Sequence, residues 1–297
     1  MISRRFLQRL GDSTSTQCGL ILLLLILFCA ISASFFFPGD PRDMVGSPTI
    51  WPGSDPRFPL GTDMMGRDML SGLLYGARTS LMIGLFATVL SVVLGVIIGV
   101  IAGYFGASWV DDILMRLTEV FLTMPRLLFA IAMVMVLGPS TFSISLALGT
   151  TSWPQIARLV RGEALRVREL EFVRAATTIG LGHFRIIVRH VLPNSIAPVM
   201  VASSVLVAQV ILSEASLSFL GLGDPSVVTW GGMVGSGREV LRTAWYMTAL
   251  PGLAIFITVM AFMLIGNGLN DVFNPRLHKA RKTSVTITGR GDANEPS

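Results

Sequence analysis

Long apolar stretches separated by short polar ones set the plan of this chain. A bilayer core takes about 20 mostly apolar residues per helix. Gly19–Phe37, Thr79–Gly103 and Met247–Asn270 carry no charge, and Ser195–Leu220 carries one acid, Glu214. Each predicts a membrane-spanning helix. Between Arg126 and Arg158 no residue is charged, a run generous for one helix and short for two, with Gly138-Pro139-Ser140 forming a natural turn inside it. Arg4, Arg5 and Arg9 precede the first run as they would in a secretory signal, but its apolar part exceeds a signal core of about 7–15 residues. It is expected to remain as the first span.

Charge placement decides the ambiguous run, because Lys and Arg concentrate in cytoplasmic loops. Two helices there, Glu119–Leu137 and Thr141–Val160, make six spans with both termini cytoplasmic. Sixteen basic residues then lie inside, including seven arginines from Arg158 to Arg189, against six outside, with Arg126 left in or near a span. With a single helix, the arginine-rich loop and the basic tail would both have to change sides. The expected organisation is a cytoplasmic N-terminus (1–18), a first transmembrane helix (19–37), a periplasmic loop (38–78), a core of five transmembrane helices (79–272) holding a cytoplasmic loop (161–193), and a cytoplasmic tail (273–297).

Composition agrees with that plan. Only 14% of the residues are charged and the mean hydropathy is +0.68, whereas soluble domains average about 25% charged. The net charge of +5 follows the topology, which points to orientation and lipid headgroups and away from nucleic acid. Cys18 and Cys29 lie in or beside the first span, where they read as inert packing residues.

The loop 161–193 reads as two short helices. Leu165, Phe172, Val173, Ala176 and Ile179 recur at helical spacing, Gly180 and Gly182 allow a reversal, and Phe184, Ile187, Val188 and Val191 form a second stripe that Pro193 is expected to end. A basic amphipathic hairpin of this kind suits an anionic lipid surface. It equally suits a docking element, since Ala175, Ala176 and Gly180 admit close approach of another backbone.

The same loop resembles the EAA loop of ABC importer permeases: Ala175-Ala176, then Gly180, then Leu192-Pro193 stand at the family's spacing, with Arg174 where the pattern has Glu and His190 where it has Ile. PLGTDMMGRDMLSGLLYGARTS (Pro59–Ser80), LTEVFLTMP (Leu117–Pro125) and ILSEASLSFLGLG (Ile211–Gly223) are similar to segments of the C-type permease subunits of dipeptide, oligopeptide and nickel importers. The resemblance implies an all-α, type I ABC importer permease (MetI-like) fold in the bacterial inner membrane. It further implies a heterodimer with a second permease, two cytoplasmic ABC ATPase subunits and a periplasmic substrate-binding protein, with Arg174, Ala175, Ala176, Gly180, Leu192 and Pro193 in the ATPase-coupling loop. Peptides are the implied solute, with glutathione or nickel chelates as the alternative.

The chain carries no engine of its own. A phosphate-binding loop needs Lys after Gly and before Ser or Thr, and the only lysines are Lys279 and Lys282, the latter following Arg281. ATP is therefore expected to bind partner subunits, with no cofactor in this chain. Intramembrane hydrolysis needs Asp pairs, a metal held by His and Glu, or Ser with a base at span depth, but His183, His190 and His278 fall in loop or tail and Asp271 at a span end. An enzyme is not expected. Glu119, Arg126 and Glu214 are the candidate ion site of a secondary carrier, or else structural charges. Gly95, Gly99 and Gly103 form a close-packing face for a partner or for this chain itself. Trp51, Trp230 and Trp245 suit the membrane interface, Trp230-Gly231-Gly232 suits a gating turn or an anchor, and the tail after Arg276 reads as disordered.

Overall fold

The computed structural model describes residues 14–273, which form helices joined by turns and loops, with one isolated bridge between Thr62 and Asp68. In chain order the helices are α1 (Thr14–Phe36), α2 (Met69–Tyr104), α3 (Trp109–Thr123), α4 (Arg126–Leu137), α5 (Thr141–Arg168), α6 (Glu171–Thr178) and α7 (His183–Ile186). A π-turn over Ile187–Val191 carries α7 into α8 (Leu192–Leu217), a second one over Ser218–Leu222 follows it, and α9 (Trp230–Gly237) and α10 (Tyr246–Phe273) complete the described residues. The tail beyond Arg276 and His278 lie outside the described residues.

Four helical stretches are long and apolar enough to cross a membrane: Thr14–Phe36, Met69–Tyr104, His183–Leu222 and Tyr246–Asp271. The predicted continuous helix Glu119–Leu137 is instead a broken pair, α3 and α4, bent by 88°. Pro125 causes the break: it has no N–H to donate and pushes the preceding residue out of the helical region, so Met124 sits at φ −78°, ψ 131°. Counted as one span, the pair makes five. Helix α5 has the length, about 42 Å at 1.5 Å per residue, but is rich in hydroxyls, of which Ser143, Ser145, Thr151 and Ser152 are buried within the protein.

Helix α2 starts at Met69, ten residues before the apolar run alone suggested, because Asp68 caps it by accepting the Leu70 N–H at 2.9 Å. Its far half packs on α5 more extensively than any other two helices pack. The glycines explain how. A Cβ on Gly95 would lie 2.6 Å from Ile156 Cβ, one on Gly99 2.4 Å from the Ala157 carbonyl, and one on Gly103 2.6 Å from the Arg161 carbonyl. In lipid, helices associate through close van der Waals contact because no hydrophobic force separates apolar protein from apolar solvent. The glycine face is thus spent inside this chain. Ser91 fastens the same seam by donating to the Gly149 carbonyl at 2.8 Å.

Helices α8 and α10 pack beside this seam and α1 lies against α10, leaving Leu24, Phe28 and Ile31 of α1 exposed where lipid would cover them. Cys18 is exposed on α1 and Cys29 half-buried, both as free thiols.

Segment 37–68 folds over the end of the bundle from which α2 and α10 start. Tyr246, at the start of α10, donates its hydroxyl to the carbonyls of Ile50 and Thr62 at 2.9 and 2.8 Å. Two turns in this segment require glycine: Gly61 and Gly66 both have φ +77°, and a Cβ would stand 2.2 and 2.1 Å from the carbonyls of Ile50 and Gly46.

Candidate functional site

The arginine-rich hairpin lies at the opposite end of the bundle. Its first arm is not separate from the membrane helix, since α5 continues to Arg168 before a short break leads into α6. Its second arm is not separate either. Pro193 was expected to end that arm, but the helix runs on through it into α8. The π-turn immediately before Pro193, in which the Leu192 N–H reaches back to the Ile187 carbonyl, lets a residue without an N–H sit in the first turn of α8.

Between the arms the chain reverses through a Schellman motif. The Gly180 N–H donates to the Thr177 carbonyl at 3.0 Å and the Leu181 N–H to the Ala176 carbonyl at 3.2 Å, with Gly180 at φ +82°. Nothing lies within 4 Å of where a Gly180 Cβ would project. Its glycine is needed for the backbone, not for space.

The apolar residues of the hairpin divide into two sets. Val173, Ala176, Ile186 and Val191 are buried against the bundle. Phe172, Ile179, Phe184 and Val188 face outward, Ile179 being 80% and Phe184 79% exposed. Periodicity had grouped members of both sets on one stripe. The outward set crowns the tip around Gly180, next to exposed Ala175.

The base of the hairpin is fixed. Tyr104, closing α2, shares a 2.8 Å hydrogen bond with His183 Nδ1, and Phe105 stacks on the same imidazole. Arg168 donates to the carbonyls of Tyr104 and Gly106 at 2.9 and 3.2 Å, placing a cation on the free carbonyls at the end of α2. Arg161 forks onto Asp111 at 2.6 and 2.7 Å, joining α5 to α3. Arg174, standing at the Glu position of the resembled pattern, pairs with Glu169, and that hydrogen bond holds the Glu169 carboxyl below its usual range. Leu192 packs against the core and Pro193 is exposed.

Sequence reasoning missed the Tyr104–His183 tie, Arg168 as a cap and the burial of Ile186. An aromatic pair closing an apolar run was a visible signal for the first. The other two depend on how the hairpin sits on α2, which no local pattern encodes.

The three candidate charges of a carrier site do not come together. Glu214 is buried in α8, where Oε1 accepts from Ser218 at 2.7 Å and Oε2 has no partner among the described residues. Glu119 and Arg126 are exposed on α3 and α4. No group of three or more His, Cys, Asp or Glu among the described residues is placed to hold a metal. Trp230 is buried, with its indole N–H donating to the Leu73 carbonyl at 2.9 Å, and Thr229 caps α9 through the Gly232 N–H. The Trp-Gly-Gly segment is therefore the fixed start of a short helix and not an open turn.

Comparison with known proteins places this architecture. Residues 95–279 match the model of the family described as binding-protein-dependent transport system inner membrane component. The di/tripeptide transport system permease protein DppC of Pseudomonas aeruginosa (strain UCBPP-PA14) is 38% identical, the alignment covering 93% of each chain. The glutathione transport system permease protein GsiD of Pectobacterium atrosepticum is 36% identical over 92% of this chain and 90% of that one. In fold, a chain of the inward-facing MetNI methionine ABC transporter matches with a TM-score of 0.57 at 16% identity, over 69% of this chain and 97% of that one. A fixed-base, apolar-tipped hairpin on an all-α membrane bundle and a relationship along nearly the whole chain agree. The protein is an inner-membrane permease component of an ABC importer, not an enzyme, and belongs to the binding-protein-dependent transport system inner membrane component family.

Proposed function

We propose that this chain is one of two permease subunits of an importer that moves di- or oligopeptides inward by alternating access, driven by ATP bound to two partner ATPases and supplied by a periplasmic binding protein. The observation that carries the mechanical part is the hairpin: its base is locked to α2 and α5, while Ile179 and Phe184 stand exposed beside Gly180. Exposed apolar side chains on a rigidly held tip suit a socket on another protein. A displacement of that socket would pass directly into α8, with which the second arm is continuous, and into α5 across the short break at Glu169-Leu170. In this reading Arg174, Ala175, Ala176, Gly180, Leu192 and Pro193 belong to the ATPase-coupling loop, and the chain itself holds no nucleotide or other cofactor.

The topology follows. Helix α5 serves as the remaining crossing, its hydroxyls shielded by α2, so that six crossings leave both termini and the hairpin in the cytoplasm. Segment 37–68 then lies in the periplasm, where a binding protein arrives. The peptide assignment rests on the names of the relatives, and a glutathione permease at 36% identity supports glutathione, itself a peptide, as a second solute.

Reconstitution tests the proposal. In liposomes this chain alone should neither hydrolyse ATP nor take up a dipeptide saturably, and adding the second permease, the ATPases and the binding protein should give ATP-dependent uptake. ATP-driven accumulation by the isolated chain would overturn it, as would a complete complex that moves no peptide.

A further inference from the structure

Arg126 occupies an unusual position. It opens α4 directly after the 88° break, in a helix that is otherwise apolar, and its side chain is exposed with no hydrogen bond or ion pair to any described residue. Around it, Thr151 and Ser152 of α5 and Gln209 and Ser213 of α8 line a cleft of about 20 Å³, room for about one water molecule. The Gln209 side-chain amide is likewise exposed and unpartnered among the described residues. Ser216, one turn further along α8, continues the polar stripe on the same exposed face.

Three helices independently give the depth of this group. The ends of α4, α5 and α8 that lie together are marked by the hydrogen bonds of Thr141 to Asp224. Arg126 is about 17 Å from that end along α4, Thr151 and Ser152 about 15–17 Å along α5, and Gln209 and Ser213 about 14–20 Å from Leu222, where the helical stretch that contains α8 ends, at about 1.5 Å per residue. With a hydrocarbon core of about 30 Å, the cluster is at mid-membrane. A cation and an amide exposed to lipid at that depth are strongly disfavoured, so such groups face a water-filled route or another protein. The break at Pro125 is tolerated for the same reason, since irregular backbone at membrane depth occurs where it borders a cavity or protein.

We propose that Arg126 is a contact point for the carboxylate of the solute halfway along its route, with Gln209 and Ser213 beside it as further hydrogen-bonding partners; this rests on the peptide-permease reading above. The chemistry is that of a guanidinium, whose planar fork matches a carboxylate in two parallel hydrogen bonds. No described carboxylate takes it: Glu119 lies on the far side of the bend without a bond to it, and Glu214, next in sequence to Ser213, is turned inward to Ser218. The small cleft makes it a point of passage where the solute's charge is met without being held in a closed pocket.

The test uses the complete complex in proteoliposomes, with wild type, Arg126→Gln and Arg126→Lys, and two probes offered at concentrations that saturate the binding protein: dialanine and dialanine C-terminal amide. Arg126→Gln should lower dialanine uptake about tenfold or more and lower the acid-to-amide uptake ratio by a similar factor, while Arg126→Lys should keep at least about a third of the wild-type rate. An amide that wild type refuses and Arg126→Gln admits also supports the assignment. Unchanged dialanine uptake in Arg126→Gln overturns it. An equal loss for both probes overturns it too and assigns Arg126 to pairing with the second permease; an amide refused by both forms places carboxylate reading elsewhere. If the wild-type complex moves no dialanine, the peptide-permease reading itself falls.

Discussion

The two ends of this molecule handle their polar and apolar groups in opposite ways. At the end from which α2 and α10 start, segment 37–68 is tied to the bundle by its own hydrogen bonds. Tyr246 serves two of its carbonyls, Thr62 donates to the Ser47 carbonyl and accepts from Ile50, Tyr75 donates to the Phe37 carbonyl, and Arg42 reaches the Pro225 carbonyl. At the arginine-rich end the ties stop at the base of the hairpin, and beyond His183 and Arg168 the tip offers Phe172, Ile179, Phe184 and Val188 outward. The first end is fastened by this chain's own hydrogen bonds, although Met44, Val45, Trp51 and Trp245 stand exposed on it. The second presents apolar surface that water would otherwise cover, as a partner-binding surface does. Force from a partner is thus expected to enter at the hairpin and be resisted at the capped end.

Charging the tip should produce the largest effect. Ile179→Asp or Phe184→Asp would put an unpaired carboxylate into any apolar socket that receives the hairpin, and should lower ATP-coupled transport about tenfold or more, each tenfold being about 1.4 kcal/mol. Because these side chains make little contact within the chain, thermal unfolding of the isolated variant should shift by no more than about 0.5 kcal/mol. Transport at the wild-type rate would mean that the tip docks nothing. A large loss of stability would mean that the two ends do not differ as described.

The capped end should respond in the reverse sense. Tyr246→Phe removes one buried hydroxyl that serves the carbonyls of Ile50 and Thr62; Ile50 keeps the Thr62 N–H at 3.1 Å, while the Thr62 carbonyl loses its donor, and leaving a buried carbonyl unpaired costs about 1–3 kcal/mol. The thermal midpoint of the detergent-solubilised chain should fall accordingly, with transport by the assembled complex reduced less than by the tip variants. An unchanged midpoint would show that segment 37–68 is not held by this residue.

How far these differences were legible in the sequence depends on the range of the interactions. The apolar runs located α1, α2, α8 and α10, and Gly180 announced the reversal in the hairpin, because length and left-handed backbone are local properties. Pro125 was equally visible, yet the mostly apolar residues on both sides of it concealed the 88° break. Hydropathy reads a bent pair and a straight span alike. Gly95, Gly99 and Gly103 declared close packing without naming the partner; α5 is revealed only by the Ala157 and Arg161 carbonyls lying where Cβ atoms would go. Helical spacing could not separate buried Val173 from exposed Ile179 in α6 and its cap, since both lie on one amphipathic face and only the seating of the hairpin on α2 divides them. The coupling role proposed for the loop rests on its resemblance to a family pattern, and the exposed tip is a physical reason to propose it.

The smallest expected effect concerns a single carboxylate at the capped end. Asp224 accepts hydrogen bonds from the backbone N–H and hydroxyl of both Thr141 and Ser226, and through Thr141 it fastens the start of α5 to the loop after α8. Partial burial raises its pKa, but the hydrogen bonds from Ser226 and Thr141 together outweigh this and bring it from 3.8 down to about 2. A carboxylate whose folded pKa is depressed contributes stability that is fully present above its unfolded value and is lost as pH falls through its folded value. The window therefore runs from about pH 4 down to about pH 2. The contribution is about 1 kcal/mol once discounted for solvent screening at a partly exposed site. Asp224→Asn keeps one acceptor oxygen and loses the charge, so it should be less stable than wild type at neutral pH by about that amount. The gap should close as both are acidified through the window, because wild type is protonated there and the variant does not titrate. Parallel stability curves for the two forms between pH 4 and pH 2 would remove Asp224 from the set of ties that fasten this end, leaving Tyr246 and Thr62 to hold it.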